Sequence, residues 1–279
     1  MKRASSIAVL LSVLSLSACA AFATRTPTLS EVITGPQRTP EFAARDRYRH
    51  PQQTLEFFGV KPEMTVVEVW PASGWYTEIL APYLREHGRY YATGYAVSQD
   101  ATPEWRHEDQ LAFIKKIRAR PYLYDRVAVT ELGPDNAWVA CPPGSADRVL
   151  TFRNVHNWMK GGYEAHMFRA FYDALKPGGV LGVVEHRAKR GTTLAQMKKS
   201  GYITEAHVIR LAQNAGLKLL ARTEINANSK DSTHHPEGVW TLPPTLKLGD
   251  AGREKYLAIG ESDRMTLMFV EPVFASPLT

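Results

Sequence analysis

At 279 residues, 44% apolar and 22% charged, the chain has the make-up of a globular protein with room for one sizeable core, which excludes a disordered or low-complexity class. The formal charge of +6 is mild and falls once Lys2 and Arg3 are removed; its basic residues, scattered through Arg45 to Arg49, Lys115 to Arg120 and Lys198 to Lys199, lack the aromatic interleaving of a nucleic-acid surface, so no nucleic-acid partner is expected. Two cysteines, Cys19 and Cys141, exclude a disulfide-stapled scaffold.

Lys2 and Arg3 precede an apolar stretch over 7–16, shorter than the roughly 20 residues of a permanent span, and this predicts an export signal. Its end, Leu16, Ser17, Ala18 and Cys19, resembles the bacterial lipobox. Residues 1–19 therefore read as a lipoprotein-type signal with Cys19 as the lipidated residue, and Ala20 rather than Asp after it resembles the sorting pattern of outer-membrane lipoproteins, which implies a periplasmic protein anchored to that membrane. The lipid would be the chain's only membrane contact; a plain signal cut after Ala23, with Cys19 incidental, is the alternative. Residues 20–38, rich in Thr, Pro, Ser and Ala without periodicity, read as a flexible tether, and 39–279 as a single domain.

Thr39 and Pro40 give an N-cap and N1-proline signature for a helix carrying Arg45 to Tyr48, and a second helix follows Pro51 and stops at Gly59 with Leu55, Phe57 and Phe58 inward. Residues 64–84 read as a buried strand (Val66, Val67, Val69, Trp70), a tight turn from Pro71 to Gly74, and a helix with Ile79, Leu80, Tyr83 and Leu84 at helical spacing. Residues 88–94 give a second strand. Thr102 and Pro103 open a helix whose Leu111, Ile114 and Ile117 share a face, and 127–130 a third strand. Residues 146–158, an acid ahead of a short apolar run and then a loop, a helix over 164–175, a Pro-Gly-Gly turn and an apolar run to His186 follow, then a helix from Thr204 to Gly216. Strands alternating with helices argue for a mostly parallel α/β sheet covered on both faces. The end differs: 217–225 and 265–270 read as strands with no helix signal between them, separated by a long insertion over 226–263.

The residues over 64–84, 88–94, 146–158 and 175–186 resemble class I S-adenosylmethionine (SAM) dependent methyltransferases over roughly 200 residues, and Arg45 to Pro51 with Trp70 to Glu78 resemble a group of exported, predicted methyltransferases with a Trp-Pro first loop. The resemblance implies a Rossmann-like seven-stranded sheet with helices on both faces and an antiparallel C-terminal strand pair, SAM as cofactor, and methyl transfer to an unknown, small-molecule acceptor in the cell envelope. In that family the first strand ends in an acid followed by alternating glycines. Here Glu68 is the acid, while Trp70, Ala72 and Gly74 stand where the glycines belong. Gly94 and Tyr95 occupy the place of the acid that holds the ribose, with Asp100 further along the loop and Glu131 an alternative acid. Tyr76 and Thr77 follow the turn, where hydroxyls and amides meet a carboxylate.

Methyl transfer needs an in-line approach, exclusion of water and in some cases a base, but no metal. His156 follows the fourth strand at the carboxyl edge, where open α/β sheets bind ligands, and is the first candidate for base or acceptor-positioning group; a hydrogen bond to a neighbouring loop is the competing role. His186 ends the fifth strand beside Glu185, an acid expected to raise its pKa. Tyr48 reaches the site if the leading helices form a lid, and His50, ahead of Pro51, is expected to be extended. His207, His234 and His235 lack the spacing of a metal site. Two other functions compete: a ligand-binding lipoprotein that keeps the scaffold without catalysis, and a different enzyme using His156 and His186 as acid and base. Whether Trp70 fills the carboxyl edge near Gly74 separates them.

Overall fold

The computed structural model describes residues 25–95, 104–134 and 137–273; Cys19, the signal segment and Asp100 lie outside them. In chain order the elements are α1 (Leu29–Ile33), α2 (Pro40–Ala43), α3 (Asp46–Arg49), α4 (Pro51–Phe57), β1 (Thr65–Val69), α5 (Thr77–Leu84), β2 (Arg89–Gly94), α6 (Glu104–Arg118), α7 (Pro121–Tyr124) and β3 (Val127–Glu131). There follow β4 (Ala146–Phe152), α8 (Val155–Gly161), α9 (Glu164–Ala174), β5 (Leu175–His186), α10 (Leu194–Ser200), α11 (Glu205–Asn214), β6 (Lys218–Thr223), α12 (Arg253–Ile259) and β7 (Arg264–Val270). Seven strands form one sheet in the order β3-β2-β1-β4-β5-β7-β6. Strands β1 to β5 pair in parallel, and β7 runs antiparallel to both neighbours. The expected Rossmann-like sheet with its antiparallel C-terminal strands is present.

Both faces are covered, which is why Val66, Val67 and Val69 of β1 are all buried and the strand shows no in-out alternation. Val66, Leu150 and Val184 pack with Leu29, Leu55, Ile79, Leu80 and Phe113 on one face. Val67, Val69, Val149, Leu181 and Val183 pack with Trp158, Phe168, Phe171, Val208 and Ala212 on the other. Gly182 in β5 leaves the space that Phe58 fills: a Cβ there would lie 2.8 Å from its ring. The strand order reverses between β1 and β4, so the crevice beyond their carboxyl ends is where this topology places a ligand.

Four local expectations change. The tether over 20–38 does not extend through its last ten residues: α1 is capped by Thr28 in a capping box with Glu31 and buries Leu29, Val32 and Ile33 against the α5 side of the core. The hydroxyl of Thr39 does not cap α2 but donates to Glu78 (2.5 Å), a fully buried carboxylate that also meets Lys116 (2.8 Å), so the entry segment is clamped onto α5. The inward face of α6 is Gln110, Phe113 and Ile117, with Leu111 exposed, because the ring of Phe113 is the one that reaches Gly74. The insertion over 226–263 contains a 3-10 turn at Gly238–Thr241 as well as α12, whose Tyr256 is buried. Among the described residues no helix is long and apolar enough to cross a membrane, and Cys141 is a buried free thiol.

Candidate active site

The turn after β1 keeps a glycine-type backbone with only one glycine in it. Trp70, Ala72 and Gly74 have φ of 52°, 49° and 80°, so all three are left-handed. For the two residues with a Cβ this conformation costs on the order of 1–2 kcal/mol each, and such strain persists only where the surroundings impose it, most often at ligand sites. Here the Trp70 amide donates to the Thr93 carbonyl (2.7 Å), and Asn154, the N-cap residue of α8, donates through Nδ2 to the Val69 carbonyl (2.9 Å). At Gly74 a Cβ would sit 3.1 Å from the Phe113 ring, a tight contact added to the strain of its positive φ.

The Trp70 indole crosses the carboxyl ends of β2 and β3. Its Nε1 donates to the Leu132 carbonyl (2.8 Å), and the ring packs on Tyr95 (4.5 Å between centroids), Trp158 (5.7 Å) and Tyr163 (6.3 Å). The Arg106 guanidinium lies over it at 5.0 Å. The indole thus lies over the ends of β2 and β3, beside Tyr95, without filling the crevice beyond β1 and β4. There a cleft of about 410 Å³ stays open, lined among others by Pro71, Ala72, Tyr76, Phe152, His156 and Trp240; cofactor and small-molecule clefts fall in this size range. Tyr76 stacks on Phe152 at 3.7 Å, and burial pushes its phenol well above its ordinary range.

Glu68 is buried at the end of β1 and accepts from the hydroxyls of Thr77 (3.1 Å) and Tyr90. Burial pushes its pKa up to about 7; those two donors and the charge of Lys116 pull it down by less. With a folded pKa above the ordinary carboxylate value of roughly 4.3, the native state holds this proton more tightly than the unfolded chain does. Its contribution to stability is therefore complete below the unfolded pKa and is lost as pH rises through 7. Glu68→Gln is expected to raise stability at pH 8 by roughly 3–4 kcal/mol and to leave it nearly unchanged at pH 4. Urea unfolding at both pH values checks this, and a variant no more stable than wild type at pH 8 would contradict it.

β4, α8 and β5 bring His156, Glu185 and His186 together. Glu185 is fully buried and accepts from His156 Nδ1 (3.1 Å), the His156 amide (3.3 Å) and the His186 amide (2.8 Å). A carboxylate can only accept, so it fixes the proton on His156 Nδ1 and leaves Nε2 as the acceptor nitrogen. The two imidazoles lie 5.2 Å apart, and both line the cleft. The pKa of His186 is not raised by its neighbouring acid as the sequence suggested. Burial pushes it well down, the charges of His156, Arg264, Arg153 and Arg49 add to that, and Glu185 is turned toward His156 instead. The ring Nδ1 of His186 pairs with the Ser262 hydroxyl. Ligand atoms of His156, Glu185 and His186 fall within 4.8 Å of one another, the one grouping of metal-compatible spacing among the described residues. Glu185 already accepts from three N–H donors and three guanidinia stand nearby, a setting that opposes a cation.

Those guanidinia are the part of the site that sequence reasoning missed. Arg49 from α3, Arg153 after β4 and Arg264 opening β7 all line the cleft. Glu261, itself buried, pairs with Arg45 (2.5 Å), Arg49 (3.2 Å) and Arg264. Burial pushes Glu261 up, but Arg264, Arg49, Arg153 and Arg45 outweigh it and hold its pKa well below the carboxylate range. The signal for Arg153 was its place directly after the β4 run and before Asn154. Arg49 stood in a basic run that reads as a solvated face, and Glu261 and Arg264 fall at the end of an insertion.

The remaining expected residues divide. Glu68, Trp70, Ala72, Tyr76, His156 and His186 line the cleft, and Gly74 closes the turn beneath it. Thr77 does not line it; its hydroxyl serves Glu68. Glu131 closes β3 opposite Gly94, away from the cleft, where Asp109 of α6 is the acid on the Tyr95 side. Tyr48 is not brought to the cleft either: its ring packs against Gly260 and the Arg47 guanidinium, and its carbonyl accepts from Arg264 (3.2 Å). His50 is left-handed (φ 40°) rather than extended, because it reverses the chain between α3 and α4. His235 Nε2 pairs with Asp231 (2.8 Å).

No protein-family model matches the chain, and no curated protein matches it in sequence. Solved structures match it in fold. A SAM dependent methyltransferase from Aquifex aeolicus superimposes with a TM-score of 0.55 at 16% identity, over 88% of this chain and 98% of that one. The cyclase SpnF does so with 0.55 at 16% identity, over 81% of each chain, and geranyl diphosphate methyltransferase, solved in complex with SAM, with 0.50 at 12%, over 87% and 94%. A cyclase among these neighbours marks the likeness as one of architecture, to which chemistry is added locally. With its strand order and these neighbours together, the chain has the Rossmann-like fold of the SAM-dependent methyltransferases.

Proposed function

We propose that the protein is a SAM-dependent methyltransferase acting on a small-molecule acceptor, with His156 as the base. The observation that carries this reading is the turn over 70–74, whose three left-handed residues keep the backbone of a glycine loop, at a strain cost, beside an open cleft at the carboxyl edge. The residues fit the cofactor in part: the turn and Tyr76 suit its amino-acid end, whereas Trp70 covers the ends of β2 and β3 and leaves the adenosine the wall formed by Tyr95, Trp105 and Asp109. SAM, when bound, supplies an electrophilic methyl group. His156 Nε2 accepts the acceptor's proton, Glu185 holds the imidazole in the tautomer that can do so, and Trp240, whose ring lies 6.0 Å from that of His156, screens the pair from water. From the N-terminal sequence we place this activity in the cell envelope, anchored through Cys19.

Calorimetric titration of SAM and S-adenosylhomocysteine into the full chain tests the reading, with Ala72→Trp as the blocked control. Ala72 is exposed in the cleft wall, so an indole there fills the cleft without entering the core. Micromolar binding, about 8 kcal/mol, that the control loses at an unchanged melting temperature is expected. No binding to the folded wild type would overturn the reading in favour of a ligand-binding protein on the same scaffold, the alternative that the position of Trp70 supports.

A further inference from the structure

The arginines of the cleft are too many for the acids that face them. Arg45, Arg49 and Arg264 share the single carboxylate of Glu261, and Glu185, the other acid within reach, is taken by His156 and two amides. Arg153 makes no side-chain hydrogen bond or ion pair among the described residues. Arg49 is 4% exposed with one terminal nitrogen unpartnered, and Arg264 is 2% exposed with its Nε unpartnered. Burial, with the charges of Arg264 and Arg45, pushes the pKa of half-buried Arg153 down to about 10, and the more distant carboxylates of Glu261 and Glu185 offset this only in part. Its backbone is also left-handed (φ 62°), a strain held by the bond from its amide to the Val184 carbonyl (2.7 Å). Unpaired buried charge is costly, and planar guanidinia are the groups that take carboxylates and phosphates two oxygens at a time.

We propose that Arg49, Arg153 and Arg264 form an anion subsite that receives the carboxylate or phosphate group of the small molecule on which His156 acts. The proposal rests on the functional reading above and narrows its substrate class to acids. Arg153 and His156 lie three residues apart across the β4–α8 junction and line the same cleft with Trp240, so an anion held by the first keeps the rest of a small molecule in the cleft that the second faces. A cofactor carboxylate has the same chemistry, and the experiment separates the two sources.

Inorganic phosphate and succinate are titrated against the full-length protein, wild type and Arg153→Gln, following melting temperature and calorimetric heat at constant ionic strength set with chloride. Saturable stabilisation beyond chloride is expected for wild type, with affinity at least tenfold weaker in Arg153→Gln. The unliganded variant should melt no lower than wild type, since it loses an unpaired charge. Arg153→Lys, which keeps the charge but not the fork, should fall between and serves if the glutamine variant does not fold. Equal response to phosphate, succinate and chloride, or undiminished binding in both variants, would overturn the subsite. Competition of phosphate by S-adenosylhomocysteine but not by 5′-methylthioadenosine would assign the arginines to the cofactor's carboxylate and overturn their assignment to the acceptor. Anion binding without any S-adenosylhomocysteine binding would instead sink the methyltransferase reading while leaving the subsite standing.

Discussion

Glu261→Ala is expected to destabilise the protein by about 3–5 kcal/mol at pH 7, the usual cost of removing one partner from a buried ion pair. Its carboxylate is 2% exposed and is the shared counter-ion of Arg45, Arg49 and Arg264. Without it the buried guanidinia of Arg49 and Arg264 face each other and the half-buried Arg45 and Arg153 with no carboxylate between them. The pH dependence has a definite sign. The folded pKa of Glu261 is held below its unfolded value, so its stabilisation is present above the ordinary carboxylate range and is lost as pH falls through the folded pKa. Wild type should lose stability steeply on acidification, and Glu261→Ala should show a flatter acid limb. Urea melts at pH 7 and in steps down to pH 3 read both quantities. A loss below about 1 kcal/mol, the size of an exposed pair, would mean that water reaches this cluster.

That cluster also shows why part of the site was hidden in the sequence. Arg45 and Glu261 are 216 residues apart, and nothing local marks either as a partner of the other. The sheet, by contrast, was legible, because β1, β4 and β5 each carry a cluster of buried Val and Leu residues without in-out alternation, set between Gly and Pro punctuation. His156 and His186 were legible from their place in that order: His186 ends β5 and His156 follows β4 at the start of α8, both at the edge where the topology collects ligand groups. Where composition spoke against structure it misled. The Thr- and Pro-rich approach to the domain hid α1, although Thr28 and Glu31 carry the spacing of a capping box. The buried face of α6 keeps Ile117 but has Gln110 and Phe113 in place of Leu111 and Ile114, because apolar spacing could not show that the Phe113 ring packs against Gly74. The most informative case is the turn itself. The residue types at 70 and 72 argue against a glycine loop, yet the backbone adopts one, since the ladder from Thr93, the Asn154 side chain and the Trp70 indole together impose it.

On the proposed chemistry, His156→Gln and Glu185→Gln are each expected to slow methyl transfer by about 10²–10⁴-fold while changing SAM affinity by no more than about twofold, well under the 1.4 kcal/mol of a tenfold change. The first removes the accepting nitrogen. The second keeps the shape of the side chain but removes the negative charge that offsets the imidazolium formed when Nε2 takes a proton. Label transfer from methyl-tritiated SAM into a pool of small carboxylates and phosphates gives the rate, and calorimetry gives the affinity. A purely structural role for Glu185, which also holds the amides of His156 and His186, would lower the melting temperature and SAM affinity together with the rate. The double variant sharpens the distinction. Two residues that act as one unit lose their function once, so the double variant should be about as slow as either single one. Multiplied losses would mean that Glu185 stabilises the site by a route that does not pass through the His156 ring.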